Sequence, residues 1–310
     1  MRNNATESVH HGAVVCLAPD GSIAFGIGSP HAIVFPRSST KPFLATTMVS
    51  AGLRLPAKLL ALVCASHDGR PEHLQAAREI LSIAGLTESA LQNTKDLPLD
   101  EDAAREVVRS GGGPTSLQMN CSGKHAGMLA TCVARGWAHD ESYLNPQSHL
   151  QSLITATMPE LIGEEVANIV VDGCGAPAHS MTLAGLARGF RAVAMAKTGS
   201  SAREVGEAMR SHPLMVGGPT RDVTLLMLGV RGLIAKDGAE GVFAAALPDG
   251  RAVALKVGDG ANRARPPLMH AALLALGVDI SAVDPRAFES PIFGHDRVVG
   301  ETRVLDNLLK

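Results

Sequence analysis

The segment Phe35-Pro36-Arg37-Ser38-Ser39-Thr40-Lys41-Pro42-Phe43 stands where a run of short strands gives way to helices. A helix is predicted from 40 to 49. Pro42 falls in its first turn, where a proline is tolerated, and Gly52 ends it. Ser38 and Lys41 therefore lie at a strand-to-helix junction. Side chains three residues apart share one face of a helical turn, so the lysine amine can reach the serine hydroxyl.

The rest of the chain predicts strands at both ends and helices between them. Strands are predicted at 13–17, 23–27, 32–35, 241–246 and 251–257, and a buried strand at 167–171. We expect one α+β domain, residues 1–310, with a helical middle region of about residues 40–235 inserted between the N- and C-terminal strands. Those terminal strands would form a central antiparallel sheet.

Composition excludes several classes of partner. The net charge of −2 gives no electrostatic basis for binding nucleic acid or an anionic membrane, and one Trp and one Tyr give no base-stacking platform. Residues 1–11 lack the apolar core of a signal peptide, and no stretch approaches the roughly 20 apolar residues of a membrane span. Five cysteines, an odd number, suggest thiols in a reducing compartment. The sequence predicts a cytoplasmic protein.

Ser38 and Lys41 form the pattern Ser-x-x-Lys. A desolvated lysine has a lowered pKa and can take the proton of a serine hydroxyl, which activates the serine as a nucleophile. Penicillin-binding proteins and class A β-lactamases carry this pattern. The alternative interpretation is a serine that caps a helix, followed by a surface lysine.

Two further segments fit the same chemistry. Ser66-His67-Asp68-Gly69 lies in a polar loop after a helix, where exposed functional groups gather; its alternative is an ordinary turn that caps the next helix. Lys256-Val257-Gly258 ends a late strand and is similar to the Lys-Thr-Gly element of the β-lactamase group. Val257 offers no hydroxyl, and the alternative is a lysine at a strand end.

Cys121 and Cys174 lie at polar, glycine-containing junctions. Two thiolates that converge from separate loops suit Zn²⁺, which needs two more ligands to complete a tetrahedron. Ligand chemistry favours His125 as the third ligand. Lys124 would be unusual, because its amine must lose its proton to bind a metal.

Taken in order, these segments resemble the Rhizobium etli-type L-asparaginases, also called asparaginase II or class 3, over nearly the whole chain. The resemblance implies a fold similar to serine β-lactamases and glutaminases, a homodimer, and L-asparagine as the small-molecule substrate. The segments that carry it are Glu7-Ser8-Val9-His10, 35–43, 66–69, Asn120-Cys121-Ser122-Gly123-Lys124-His125-Ala126-Gly127-Met128, Asp172-Gly173-Cys174-Gly175-Ala176-Pro177 and Lys256-Val257-Gly258-Asp259-Gly260.

The resemblance also implies a set of site residues. It implies two serine–lysine pairs, zinc as a cofactor that aids substrate binding, and three residues beside the site. The pairs are Ser38 with Lys41 and Ser66 with Lys256; the zinc ligands are Cys121, Lys124 and Cys174 with water as the fourth; the neighbouring residues are Arg37, His125 and Asp172. A helix N-terminus favours developing negative charge, which favours Ser38 as the nucleophile.

Two other functions remain open at this point. A β-lactamase-like enzyme or D-Ala-D-Ala peptidase shares Ser-x-x-Lys, but such enzymes work outside the cytoplasm and this chain has no signal peptide. The second alternative is a non-catalytic zinc-binding protein on the same scaffold. The presence of all four serine and lysine residues of the implied pairs argues against it.

Overall fold

The computed structural model describes residues 1–3, 5–305 and 308. Its strands are β1 (Gly12–Leu17), β2 (Ile23–Ile27), β3 (Ile33–Val34), β4 (Ile169–Val171), β5 (Pro177–His179), β6 (Met181–Thr182), β7 (Ile234–Gly238), β8 (Val242–Ala246), β9 (Ala252–Val257), β10 (Pro291–Gly294) and β11 (Arg297–Glu301). The main sheet is antiparallel, in the order β2-β1-β9-β8-β7. Two N-terminal strands thus lie beside three C-terminal strands. The predicted α+β class and central antiparallel sheet are confirmed.

The helices fill the middle of the chain. They are α1 (Lys41–Ser50), α2 (Ala57–Val63), α3 (Pro71–Ile83), α4 (Glu101–Arg109), α5 (Ser122–Arg135), α6 (His149–Ile162), α7 (Leu183–Ala194), α8 (Ser201–Ser211), α9 (Pro213–Gly217), α10 (Asp222–Gly229) and α11 (Arg265–Ala275). Helix α4 begins at a cap, since the Asp100 carboxylate accepts from the Ala103 N–H. No helix in the described part of the chain is long and apolar enough to cross a membrane.

Both faces of the main sheet are covered, by α7 and by α11. Strand β8 is buried throughout, and its three alanines let the covering helices approach closely. On the α11 side the Phe243 ring packs under the guanidinium of Arg265. With few aromatic side chains, the core is built mainly of Ala, Leu, Val and Met.

One strand prediction needs correction, and the edge strand β7 was missed. Residues 167–171 were expected to form a buried strand, but β4 is exposed, with relative exposures of 40%, 44% and 75% along its three residues. An apolar run does not reveal whether another layer covers it, and β4 pairs only with the short β5. Strand β7 was not predicted, because Lys236 and Asp237 interrupt its apolar pattern.

The junction between the strands and the helices is tightly packed. A 3-10 helix at Arg37–Thr40 leads directly into α1, which is buried on nearly all sides. Gly238 at the end of β7 lies against this 3-10 helix, and a Cβ there would overlap the Pro36 carbonyl oxygen. The edge strand β7 and the segment that carries Ser38 are therefore neighbours.

Candidate active site

Four segments are joined to one another by side-chain hydrogen bonds, and the first of them packs against β7. The first is the 3-10 helix with Ser38. The second is the loop between α2 and α3, residues 64–70, here called the Ser66 loop. The third is the start of α5, with Cys121 and Lys124, and the fourth is the turn after β4, with Asp172 and Cys174. The predicted site residues converge from these segments, except Lys256.

Lys41 joins two of these segments. Its side chain is buried, and its Nζ donates to Ser66 Oγ at 3.0 Å and to the Ala65 carbonyl at 2.5 Å. The Ser66 N–H in turn donates to the Val216 carbonyl at 3.1 Å, so the serine is held from both sides. The lysine of the Ser-x-x-Lys pattern thus contacts the second serine directly.

Ser38 is half-buried, and its hydroxyl makes no hydrogen bond to any residue that the structure describes. The residue before it, Arg37, has a φ of 55°, a conformation that non-glycine residues adopt at a cost. Arg37 Nε donates to Asp172 Oδ1 at 2.6 Å, which ties the strained residue to the turn after β4. The hydroxyl of Ser38 is thereby presented free at a fixed point of the backbone.

Asp172 is an ionised partner for Arg37. Burial opposes ionisation, but the charges of Lys124 and Arg37 lower the pKa of the carboxyl below its usual value. Arg37 and Asp172 therefore form a charged pair, and Arg37 is next to Ser38 in the chain.

The structure does not pair Ser66 with Lys256, so that prediction is wrong. Lys256 Nζ donates to the carbonyls of Glu240, at 2.6 Å, and Val257, at 2.5 Å. It is partly exposed at the end of β9, in a central strand of the sheet, whereas Ser66 is bonded to Lys41. Partial burial lowers the pKa of Lys256, and the charges of Glu240 and Asp259 oppose this shift.

A second lysine of the site, Lys236, was missed. It is fully buried on β7, and its Nζ donates to Asp237 Oδ1 at 2.5 Å and to the Asp237 carbonyl at 2.8 Å. Ser39 Oγ donates to the Lys236 carbonyl at 3.1 Å, which fixes β7 to the 3-10 helix. Burial lowers the pKa of Lys236 to about 8, and the nearby charge of Lys41 acts in the same direction.

A sequence signal for Lys236 exists. Lys236-Asp237-Gly238 has the same Lys-x-Gly spacing as Lys256-Val257-Gly258, and both tripeptides end strands. The two differ in position, since β7 lies at the edge of the sheet next to the 3-10 helix. The order of the strands in the sheet shows which of the two lysines lies next to the 3-10 helix.

The predicted metal ligands come together. Cys121, Lys124 and Cys174 are all buried, and Lys124 Nζ donates to Cys174 Sγ at 3.0 Å. A hydrogen bond from the Cys174 thiol lowers the pKa of Cys121 well below its usual value, and the charges of Lys41 and Lys124 add to this effect. The pKa of the Cys174 thiol is raised by the same hydrogen bond and by burial. Burial opposes the charged form of Lys124, but the charges of Cys174 and Cys121 raise its pKa above the usual value. One thiolate, one thiol and one ammonium group therefore share a small buried space.

This donor set fits a zinc ion. Two sulfur atoms and one nitrogen atom would supply three of the four tetrahedral positions, and metal charge favours the deprotonated form of each donor. Within residues 1–3, 5–305 and 308, no group of three or more His, Cys, Asp or Glu side chains is arranged to hold a metal. Lys124 Nζ is a nitrogen donor beside these cysteines, at 3.0 Å from Cys174 Sγ, and Asn120 Oδ1 lies 3.1 Å from Cys121 Sγ.

His125 is held away from the cysteines by another partner. Its Nδ1 lies 2.8 Å from the hydroxyl of Tyr143, and both side chains are fully buried. Burial and the charges of Lys124 and Lys41 lower the pKa of His125 well below its usual value, so the ring is neutral. Its Nε2 is buried without a hydrogen-bond partner among the described residues.

A buried lysine against a serine hydroxyl, with a second serine one helical turn before that lysine, is an arrangement that serine hydrolases use. A family model described as L-asparaginase II matches residues 1–304. The chain belongs to the L-asparaginase II family.

Solved structures and curated sequences were also compared with this chain. A β-lactamase from Mycobacterium bovis aligns with a TM-score of 0.46 and 16% identity, over 86% of this chain and 94% of its own. EstCE1, a hydrolase with promiscuous acyltransferase activity, aligns with a TM-score of 0.43 and 9% identity, over 84% of this chain and 93% of its own. No curated protein sequence gives a significant match.

Proposed function

We propose that this protein is an L-asparaginase, which hydrolyses the side-chain amide of L-asparagine to L-aspartate and ammonia through a serine nucleophile and a lysine base. The observation that carries the proposal is the contact of 3.0 Å between Lys41 Nζ and Ser66 Oγ. Lys41 follows Ser38, whose hydroxyl is free, by one helical turn of the chain. Membership of the L-asparaginase II family supports the choice of substrate.

In the first half-reaction, Ser38 Oγ attacks the side-chain amide carbon of asparagine, and its proton passes to Lys41 Nζ, the base of this step. Backbone N–H groups at the start of the 3-10 helix stabilise the oxyanion, since the first N–H groups of a helix lack intrahelical partners. Lys41 then gives its proton to the amide nitrogen, the C–N bond breaks, and ammonia leaves. An ester of Ser38 remains.

In the second half-reaction, water attacks the ester carbon and gives a proton to Lys41. The Ser38–carbon bond breaks, the serine oxygen recovers a proton from Lys41, and aspartate leaves. Ser66 accepts a hydrogen bond from Lys41 and can relay protons to and from it. We assign the second lysine of the site to Lys236 rather than Lys256, because β7 lies against the 3-10 helix and the Lys41 charge acts on Lys236.

The α-carboxylate and α-ammonium groups of asparagine need charged partners. We propose that the pair of Arg37 and Asp172 supplies both charges, with His125 as a neutral neighbour beside them. An arginine fork matches the two oxygens of a carboxylate, and a carboxylate partner suits an ammonium group. A substrate that lacks either α-group would leave one of these charges unpaired.

We also propose that Cys121, Lys124 and Cys174 hold Zn²⁺. When bound, the metal would supply a fixed positive charge that aids substrate binding. In the chain itself, the Asp172 carboxylate lies near this cluster, and the Cys174 thiol is within 3.9 Å of Asp172 Oδ2. The ligands thereby connect the metal position with the proposed substrate-binding pair.

Release of ammonia from L-asparagine tests the proposal. We expect turnover of L-asparagine, slower turnover of L-glutamine, and neither hydrolysis of nor acylation by a chromogenic β-lactam. Turnover of the β-lactam alone would favour the β-lactamase-like alternative. Stoichiometric zinc without any turnover would favour a non-catalytic zinc protein. The homodimer and the cytoplasmic location stay predictions.

A further inference from the structure

Asp237 is a buried carboxylate surrounded by three cations. It is 6% exposed, and it pairs with Lys236, at 2.5 Å from Nζ, with Arg265, at 3.1 Å from Nη1, and with Arg221. A carboxylate in such a place needs partners, because an unpaired buried charge is costly. Burial opposes its ionisation, but the charges of Arg221, Lys236 and Arg265 lower its pKa well below the usual value. Asp237 is therefore ionised and paired with all three cations.

Arg221 connects this carboxylate with the Ser66 loop. One of its terminal nitrogens donates to Asp237 Oδ2, and the other donates to the Ser66 carbonyl at 3.1 Å. A guanidinium is planar and rigid, so two acceptors bound to its two ends are held at a fixed separation. Arg221 immediately precedes α10 and lies in neither segment that it joins. It is the bridge between the backbone of a site serine and the strand of a site lysine.

The charges of this cluster also single out Lys236. Arg265 reaches Asp222 as well, at 3.5 Å, so two arginines are matched by two aspartates. Lys236 is then the surplus cation. The groups that face it are Asp237 on its own strand, Lys41 on α1, Cys64 after α2, Arg221 before α10 and Arg265 on α11. Of these, Asp237 favours the ammonium form, whereas Lys41 and Arg221 disfavour it.

We propose that Arg221 and Asp237 are positioning residues of this site, which hold the Ser66 loop and β7 in one geometry and set the charge of Lys236. The inference rests on the proposed function, in which Ser66 relays protons during amide hydrolysis and Lys236 is the second lysine of the site. Neither residue contacts the substrate; each acts through Ser66 or Lys236.

The first test needs no substrate. The pH titration of Lys236 is followed by NMR of protein labelled with ¹³C at the lysine ε-carbon, with the signal assigned by its loss in Lys236→Arg. Arg221→Gln removes a positive neighbour and should raise the pKa of Lys236. Asp237→Asn removes a negative neighbour and should lower it. A control, Arg210→Gln, should leave the titration unchanged.

Arg210 is a matched control for Arg221. It is also a partly buried arginine that binds backbone carbonyls, of Gly232 at 2.7 Å and Ala194 at 2.8 Å, together with a carboxylate, that of Glu207 at 3.2 Å. It contacts neither Ser66 nor Asp237. A general loss of packing would affect the two arginine variants alike.

The second test is kinetic. Arg221→Gln should lower kcat for L-asparagine by up to about 100-fold with little change in KM, because a small displacement of a positioned group suffices for such a loss. Its pH–kcat profile should move to higher pH, and that of Asp237→Asn to lower pH. Arg221→Lys, which keeps the charge but not the rigid fork, should lower kcat without moving the profile.

The two failures are distinguishable. If the wild-type protein does not release ammonia from L-asparagine, the proposed function is wrong. The NMR titration still decides whether Arg221 and Asp237 set the charge of Lys236. If the Lys236 titration is the same in wild type, Arg221→Gln and Asp237→Asn, the positioning role is wrong whatever the activity. The role is also wrong if Arg210→Gln matches Arg221→Gln in every measurement.

Discussion

Lys41 Nζ lies 3.0 Å from Ser66 Oγ, although Lys41 follows Ser38 by a single helical turn. The lysine of the first motif is therefore bonded to the second serine of the site. Two independent serine–lysine pairs would require each serine to have its own lysine within hydrogen-bond reach. The structure instead gives Ser66 the lysine of the first motif and leaves Ser38 Oγ free for a substrate carbon.

This geometry predicts different effects for the two serines. Ser38→Ala should abolish both turnover and the acyl-enzyme, since it removes the attacking oxygen. Ser66→Ala should lower kcat by about 100- to 10,000-fold, the range expected for loss of a proton-transfer group, but should still form the acyl-enzyme. Acid quench after mixing with L-asparagine, followed by peptide mass spectrometry, locates the ester. An ester on Ser66 in the Ser38→Ala protein would reverse the assignment.

Replacement of Lys236 and of Lys256 by alanine should have different effects on kcat/KM. Lys236→Ala should lower kcat/KM by at least about 100-fold, because Lys236 belongs to the charged cluster beside the 3-10 helix. Lys256→Ala should leave kcat/KM within a few-fold of wild type, since it removes bonds to two carbonyls at the end of β9. Both are measured as ammonia release with a check of folding by circular dichroism. An equal loss of kcat/KM in the two variants would show that Lys256 also acts in the site.

The pKa of Lys236, about 8, predicts the pH dependence of the reaction. If the free amine is the active form, its fraction grows as the pH rises through the pKa, so kcat/KM should rise between about pH 7 and 9 and then level off. Lys236→Arg cannot lose its proton in this range and should lack the rise. A kcat/KM that falls over this interval in the wild-type protein would show that the ammonium form is required.

The two lysines also show what the sequence could and could not predict. The terminal strands, the helical middle and Ser38, Ser66, Cys121, Lys124 and Cys174 are local patterns, and the structure brings these residues together. The sequence points to Lys256 because its strand is apolar and easily recognised. Strand β7 holds two buried charges, which local hydropathy assigns to the surface. The Asp237 carboxylate is stabilised by Arg221 and Arg265, which no local pattern connects with β7.

Removal of metal ligands tests the zinc site. Cys121→Ser and Cys174→Ser should each lower the zinc content, measured by plasma mass spectrometry after dialysis, since a hydroxyl is a poorer ligand than a thiolate. Cys132→Ser, a change of another buried thiol on α5, is the control and should retain the metal. A chelator should raise KM for L-asparagine more than it lowers kcat. Full zinc content in both variants would exclude these two sulfur atoms as ligands.

Gly238 should tolerate no larger side chain, because β7 and the 3-10 helix touch there. In Gly238→Ala the new Cβ would overlap the Pro36 carbonyl oxygen and lie 3.1 Å from Ser39 Oγ, and a backbone atom cannot move aside as a flexible side chain can. We expect the free energy of unfolding to fall by about 1–3 kcal/mol, the usual cost of overpacking, and the activity to fall further than the folded fraction.

Gly113→Ala is the control for this change. Apart from its chain neighbours, no residue that the structure describes lies within 4 Å of a Cβ at Gly113, and its backbone is not in the left-handed region, so the substitution should change neither stability nor turnover. Urea unfolding gives the free energies, and ammonia release at a pH where both variants are folded gives the activities. Because the 3-10 helix that Gly238 supports also carries Ser38, a Gly238→Ala protein with normal activity would mean that Ser38 does not need the close contact with β7.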